Sequence, residues 1–375
     1  MHLLRVQVPD FRGLKNIDIT FEKDFFPSIF PLGSQNGGGK STLLQLIFVL
    51  LHCSFCAEQK QFLENLLHGF KTYEGEDKRV LAIIDIWDGE KVVEMEFFSC
   101  SILNIKLLTL DSTSEHMKLV CNYSSDINSN NRGDEALFYH FYNTDMEQTE
   151  CFLQELSDKI FLAAPSTQIF LFLAPDSRKL LFTKSSNGDK NYYAILEAAR
   201  HELNGLFTYD FLAVELLIES FEAARDRDFR EAIKTGSYGN SYQTLINDLN
   251  LFLGNKKINL NEDLLGVNFK LDNNGETIQL YPEDLSHGEL KRLSIYAWLK
   301  FCNIKDAIVL MDEIEIALHP DWQYQIISDL KDWAPSNQYI LATHSYALCE
   351  ALTPAHVKEI EPKLIKLESN ITNES

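Results

Sequence analysis

Three short segments, far apart in the chain, carry residue types that together can handle a polyphosphate. They are Ser34-Gln35-Asn36-Gly37-Gly38-Gly39-Lys40-Ser41-Thr42, Leu285-Ser286-His287-Gly288-Glu289 and Leu310-Met311-Asp312-Glu313. Consecutive glycines let backbone N–H groups turn inward and approach an anion without Cβ clashes, and the dipole of a following helix adds to the attraction. In such a loop Lys40 reaches the β- and γ-phosphates and Ser41 ligates magnesium. Asp312, ending an apolar run, brings a carboxylate to the same cation, and Glu313 is the candidate to polarise an attacking water. ATP and Mg2+ are therefore the expected cofactors. One departure is visible: the first glycine of the GxxxxGK pattern falls on Ser34, with Gly33 one place earlier.

Ser286 followed by Glu289 spells a capping box. It reads equally as a well-capped helix and nothing more. The same geometry makes a positive helix terminus that attracts a γ-phosphate, with the Ser286 hydroxyl as donor and Gly288 allowing close approach. The segment has no obvious use in its own subunit and makes sense as a cover over ATP bound to a second copy. His344, about 30 residues past the carboxylate pair, is a candidate γ-phosphate sensor. The catalytic candidates are thus Glu313, His344 and Lys40.

The elements that must position these groups follow from periodicity. Leu4, Val6 and Val8, then Ile17, Ile19 and Phe21, predict two half-buried strands. A strand near 28–32 leads into the glycine loop, and Pro31 predicts that it ends early. Residues 42–55 are apolar nearly all round, as in a helix buried on most sides. Stretches 80–87 and 91–98 flank the hairpin signal Asp88-Gly89. Residues 112–131, rich in Ser and Asn, predict a long surface loop. Segments 160–164 and 169–174 predict buried strands. Residues 192–234 are helical in pattern with a break near Gly205, and Tyr242, Leu245, Ile246 and Leu249 mark a further amphipathic helix. A second hairpin is predicted over 267–280 around Asn274-Gly275, a helix from Ser286, and apolar strands over 307–311 and 338–343.

Composition sets outer bounds. The 375 residues carry 34 basic and 55 acidic side chains, a net charge of −21, which argues against non-specific coating of nucleic acid. Arg225, Arg227, Arg230 and Lys234, or Arg178, Lys179, Lys184 and Lys190, are the candidates for a local basic face. Glu222, Asp226, Asp228 and Glu231 interleave with the first set, as on a solvated helix. The apolar run 43–51 is too short to span a bilayer. The first residues read as a strand and not a secretory leader. Seven unframed cysteines suggest reduced thiols in a cytoplasm. Cys53 and Cys56 have the spacing of half a zinc site, but no second pair accompanies them.

The segments, in this order, resemble the ABC-type ATPase heads of the RecF, SMC, Rad50 and OLD group. Asp10-Phe11-Arg12-Gly13-Leu14-Lys15-Asn16 looks like that group's N-terminal loop, 285–289 its signature motif with His287 in place of a glycine, and 310–320 its Walker B strand and D-loop. The resemblance implies an α/β P-loop NTPase of ABC-head type: a mixed sheet with flanking helices, an antiparallel β subdomain and an inserted mainly helical lobe. It implies head-to-head dimers with two nucleotides sandwiched between Walker A of one head and the signature of the other, and Arg12 contacting phosphate in cis. Gln168 is a weak candidate for the Q-loop glutamine. The implied domains are a discontinuous head, 1–100 and 265–375, and an inserted lobe, 101–264.

Lys40 and Ser286 lie about 245 residues apart, too far for a transporter head and too close for the long coiled coils of SMC or Rad50 proteins. With about 30 residues after Ser345, a TOPRIM-type nuclease domain is not expected. Short stand-alone heads of this type look like ATPase subunits of bacterial anti-phage systems such as Septu or PARIS. The expected function is thus a cytoplasmic ATPase that regulates a separate effector, a nuclease or toxin, as dimers or assemblies of dimers. The alternatives are a RecF-like DNA-repair clamp, with DNA as partner, and a slow ATP-gated scaffold.

Overall fold

The computed structural model describes residues 1–34, 37–102, 117–124, 134–142, 146–183, 191–209, 213–261, 266–273, 276–281 and 284–360. In chain order the strands are β1 (His2–Phe11), β2 (Leu14–Thr20), β3 (Ile29–Gly33), β4 (Arg79–Trp87), β5 (Val92–Ser101), β6 (Met117–Tyr123), β7 (Glu135–Tyr142), β8 (Ile160–Ala164), β9 (Leu206–Thr208), β10 (Lys256–Leu260), β11 (Val267–Asn273), β12 (Glu276–Leu280), β13 (Ile308–Asp312), β14 (Gln338–Ala342) and β15 (Lys358–Glu359). The helices are α1 (Lys40–Cys53), α2 (Lys60–Leu67), α3 (Met146–Asp158), α4 (Pro175–Lys179), α5 (Tyr192–Glu202), α6 (Ala213–Thr235), α7 (Ser241–Leu253), α8 (His287–Phe301), α9 (Pro320–Trp333) and α10 (Tyr346–Glu350).

A parallel sheet in the order β15-β3-β14-β13-β8-β9 forms the centre. Its strands are short, and the central ones, β3, β8, β13 and β14, are mostly apolar because both faces are covered. Alternation sorts each strand between two cores. Ile308, Leu310 and Ile340 join the core built around α1, while Val309, Met311 and Leu341 join the one built around α8 and α9. A second, antiparallel sheet, β2-β1-β4-β5-β7-β6, packs on the α1 side, and a three-stranded sheet β10-β11-β12 lies beside α7 and α6. Gln338 ties the two large sheets: its side chain donates to Leu3 O (2.9 Å) and accepts from Leu3 N (2.7 Å).

Strands β6 to β9, from the segment expected to be an insertion, are hydrogen-bonded members of the two large sheets. The helical hairpin α6–α7 leads into β10, which belongs to the three-stranded sheet.

Three local expectations need correction. The strand after residue 28 does not end at Pro31 but runs to Gly33. Tyr339 N donates to Ser28 O, so the even-numbered amides of β3 face β14. The missing Pro31 amide falls on the other side, where β15 pairs only Leu32 and Gly33. Residues 169–174 are not a strand but a buried loop. Phe172 packs on Phe48 and Phe62, and the Gln45 side chain accepts from Leu171 N at 2.6 Å, satisfying backbone that a sheet would otherwise satisfy. Within the stretch read as a loop over 112–131, β6 pairs with β7. A register shift between Leu119 and Cys121 breaks the alternation that would have announced it. The break expected near Gly205 is present, occupied by the short strand β9. A Cβ on Gly205 would lie 2.7 Å from Ile160 O. The Asn274-Gly275 turn lies outside the described residues, between β11 and β12, which pair as expected.

Candidate functional site: a phosphate loop facing buried carboxylates

Strand β14 stands between β3 and β13, and all three are parallel. The glycine loop after β3, His344 after β14 and Asp312-Glu313 at the end of β13 therefore leave the sheet at one edge. That carboxyl edge is where open α/β sheets place ligands.

The chain enters α1 through left-handed backbone: Gly37 has φ 82 and Gly39 φ 86, where any other residue is strained. A Cβ on Gly39 would also lie 2.6 Å from Leu14 Cδ2, in the turn after Arg12. Gly38 is buried. Lys40 is buried, and its Nζ donates to Ser34 O (3.2 Å) and Ser34 Oγ (3.0 Å). Ser34, standing where the pattern has glycine, thus supplies two acceptors that hold the lysine in the loop. Lys40 Nζ also lies 3.5 Å from His344 Nδ1. Burial lowers the Lys40 ammonium, opposed by the charges of Asp312, Glu315 and Glu313. Thr42 follows in the first turn, half-buried. Asn36 lies outside the described residues.

Asp312 is 2% exposed. Ser41 lies close enough to act on this carboxylate, while Oδ1 is buried without a hydrogen-bond partner. Burial pushes this carboxyl up to about 7, with Glu313 and Glu315 adding to the rise and Ser41 and Lys40 opposing it. Glu313 is half-buried, with φ 51; its amide donates to Ala342 O at 2.9 Å. A glutamate in left-handed backbone costs about 1–3 kcal/mol and persists only where its surroundings fix it. Lys291, from α8, does so, donating to Glu313 O (3.0 Å) and Ile316 O (3.1 Å).

The nearness of Ser41 to Asp312 and the orphaned Asp312 oxygen fit a magnesium ion held jointly with phosphate oxygens. Among the described residues no group of three or more His, Cys, Asp or Glu side chains could hold a metal alone.

Three residues escaped the sequence reading: Lys291, Glu315 and Gln323. Glu315 sits two places beyond the Glu313 that drew attention, and its buried Oε1 accepts from His344 N at 2.6 Å. Ser345 donates from Oγ to Gln323 Oε1 (2.6 Å). Lys291 and Gln323 lie outside the motifs read, and within 310–320 nothing local set Glu315 apart from its neighbours.

The capping box at α8 forms as expected. Ser286 Oγ accepts from Glu289 N (3.2 Å), and the Glu289 carboxylate accepts from Ser286 N (2.8 Å). Glu289 is also paired with Lys256 at 2.8 Å. Burial pushes its carboxyl up, but the hydrogen bonds from Lys256 and Ser286 together outweigh this and hold it below its usual range. Ser286 and His287 are exposed. Gly288 is buried, and a Cβ there would lie 2.8 Å from Ala317 O and 3.0 Å from the Trp322 ring. Packing of the loop after β13 by itself therefore demands glycine.

Arg12, in left-handed backbone (φ 53), donates from Nη2 to Leu66 O at 2.8 Å, at the end of α2. Burial and the Arg178 charge beside it lower its guanidinium. Gln168 follows β8, next to β13, and its carbonyl accepts from the Tyr192 hydroxyl. On α6, Arg225 pairs with Asp226, and Asp228 caps α7 by accepting from Ser241 N and Tyr242 N. Lys184 and Lys190 lie outside the described residues. The described cysteines, Cys53 and Cys56 among them, are free; burial raises the Cys53 thiol. No helix among the described residues is long and apolar enough to cross a membrane.

Residues 123–350, more than half of the chain, match the protein family described as "AAA domain, putative AbiEii toxin, Type IV TA system". Among curated proteins, Retron Vc95 probable ATPase of Vibrio cholerae serotype O1 biovar El Tor is 43% identical over 53 residues, 14% of this chain and 10% of that protein. Retron Ec83 probable ATPase of Escherichia coli is 40% identical over 50 residues, 13% of this chain and 9% of that protein. The chain thus matches only about a tenth of the length of these relatives. Among solved structures, an Smc head bound to the C-winged helix domain of ScpA aligns with TM-score 0.46 and 12% identity, over 94% of this chain and 92% of that one. The SMC head domain from Thermotoga maritima aligns with TM-score 0.42 and 10% identity, over 94% and 92%.

Proposed function

We propose, because the chain belongs to the AAA-domain family whose profile it matches, that it binds and hydrolyses ATP in nucleotide-sandwich dimers and thereby regulates a separate effector. The observation that carries this reading is the meeting of Lys40, Ser41 and Asp312 across strands β3 and β13, with a buried carboxylate oxygen left unpartnered. Two curated relatives named as ATPases support the activity. The toxin–antitoxin system in the family's description supports an effector whose damage is held in check.

Each group's task follows from its place. Lys40 and the inward amides at Gly37–Gly39 bind the β- and γ-phosphates, and Lys40 exchanges its Ser34 acceptors for phosphate oxygens. Ser41 and Asp312 would hold magnesium, which when bound neutralises phosphate charge. Glu313 takes the proton of the attacking water at its carboxylate, giving ADP and phosphate. His344, beside Lys40, contacts the γ-phosphate and registers its departure. Ser286 and the first-turn amides of α8, which have no acceptor within their own helix, cover the nucleotide of a second copy.

The test is ATP turnover and oligomeric state, measured together. Glu313→Gln should keep ATP binding, lose turnover and accumulate as a dimer in ATP and Mg2+. A variant that hydrolyses at the parent rate, or a protein that stays a single protomer in saturating nucleotide, refutes the respective half of the proposal.

A further inference from the structure

Glu315 is a buried carboxylate that the phosphate chemistry leaves unused. It is 9% exposed, in the loop joining β13 to α9. One oxygen accepts the backbone N–H of His344 at 2.6 Å; the other, Oε2, is buried without a hydrogen-bond partner. Its charge acts on both Lys40 and Asp312. Keeping a carboxylate out of water is costly unless its attachments are strong, and a short amide-to-carboxylate bond is among the stronger kinds.

The loop that bears Glu315 is itself fixed. Lys291 holds the carbonyls of Glu313 and Ile316. Gln323 Nε2 donates to Leu318 O (2.9 Å) and reaches Glu315 O (3.5 Å). The same Gln323 accepts from Ser345 Oγ through its Oε1. The segment with His344 and Ser345 is therefore joined to the β13–α9 loop at two successive residues.

His344 needs such a support. Its ring is exposed yet lies 3.5 Å from Lys40 Nζ. A ring on a loop keeps that position only while its backbone is held. The β13–α9 loop also carries left-handed backbone at Glu313 and Ala317 and exposes Ile316 and Ala317 beside the α8 terminus. Through Glu315 this loop is bonded directly to the amide of His344.

We infer that Glu315 is the positioning residue for His344, setting the ring against Lys40 and coupling it to the exposed β13–α9 loop. The inference rests on the ATPase reading and adds to it the link between the phosphate sensor and the surface where a second copy docks.

The experiment compares Glu315→Ala, Glu315→Gln and His344→Ala with the double variant of Glu315→Ala and His344→Ala. Glutamine retains an acceptor oxygen; alanine does not. Glu315→Ala should lower kcat roughly 10- to 100-fold, the usual cost of losing a group that orients an active-site residue, with KM for ATP unchanged. Glu315→Gln should recover most of it, and Glu315→Ala should cost nothing more once His344 is alanine. Hydrogen exchange of the ligand-free protein should speed up over residues 343–345 in Glu315→Ala and stay unchanged over residues 37–42. An additive loss in the double variant, a glutamine variant as slow as alanine, or unaltered exchange at 343–345 each overturns the assignment. Should the alanine variant not fold, Glu315→Met fills the space without an oxygen and takes its place. A parent protein without ATP turnover refutes the ATPase reading instead, and the exchange comparison, made without nucleotide, still decides the role of Glu315.

Discussion

The phosphate loop with its carboxylates and the capped terminus of α8 were equally prominent in the sequence, yet the folded chain treats them oppositely. The first is left incomplete: Asp312 Oδ1 and Glu315 Oε2 are buried without partners, a lysine is drawn out of water, and Glu313 sits in left-handed backbone. The second is complete: Ser286, Glu289 and Lys256 satisfy one another, and the segment is largely exposed. Incomplete groups mark where a ligand must supply the missing charge. A satisfied, exposed terminus marks a surface that another body can cover without any rearrangement of its own protomer. In the function proposed above, the first region receives nucleotide and the second is brought to it by another copy.

That contrast can be broken in order of effect. Glu313→Gln should lower kcat by about 10²–10⁴-fold, the usual worth of a general base, with ATP affinity retained; a small change in single-turnover rate would remove Glu313 from the chemistry. Lys40→Ala should weaken ATP binding by about 2–5 kcal/mol, as for loss of one member of a buried charge pair, read by calorimetry. Undiminished affinity would mean that the incomplete region is not the nucleotide site.

The third prediction concerns pH. Because burial raises the Asp312 carboxyl to about 7, magnesium must displace a proton below that pH. The Mg2+-dependent part of ATP affinity should then fall about tenfold per unit as pH drops below 7. In the ligand-free chain the sign is reversed. A raised carboxyl favours the folded state below its ordinary value, and this contribution is lost as pH rises through about 7. Titrating both ATP binding and denaturant stability over this range checks the pair of opposite slopes.

The smallest effect sharpens the comparison most. Ser286→Ala should cost about 1 kcal/mol of stability, the value of a helix cap, and leave ATP affinity of a dilute protomer unchanged. Turnover should fall only at concentrations where two copies meet. Weaker ATP binding by the lone protomer would show that the cap already serves its own nucleotide.

Much of this was open to reading along the chain. The glycine run before a buried helix, the apolar strand ending in Asp312-Glu313, and the Ser286–Glu289 box are local patterns whose chemistry depends on neighbours in sequence. Backbone freedom, strand alternation and caps act over a few residues, so the residue types alone determine them. The misreadings came where local composition lacked the partner: Pro31 is harmless only because its missing amide faces the side that β15 scarcely pairs, and Phe170 to Leu173 is a loop because Gln45 and α1 receive it. Only the tertiary structure decided that β14 separates β3 from β13 and so brings Lys40, Asp312 and His344 to one edge. It alone decided that Glu315, Gln323 and Lys291 brace that edge. Those contacts join residues remote in the chain, and their existence depends on strand order and burial, which no short-range pattern encodes.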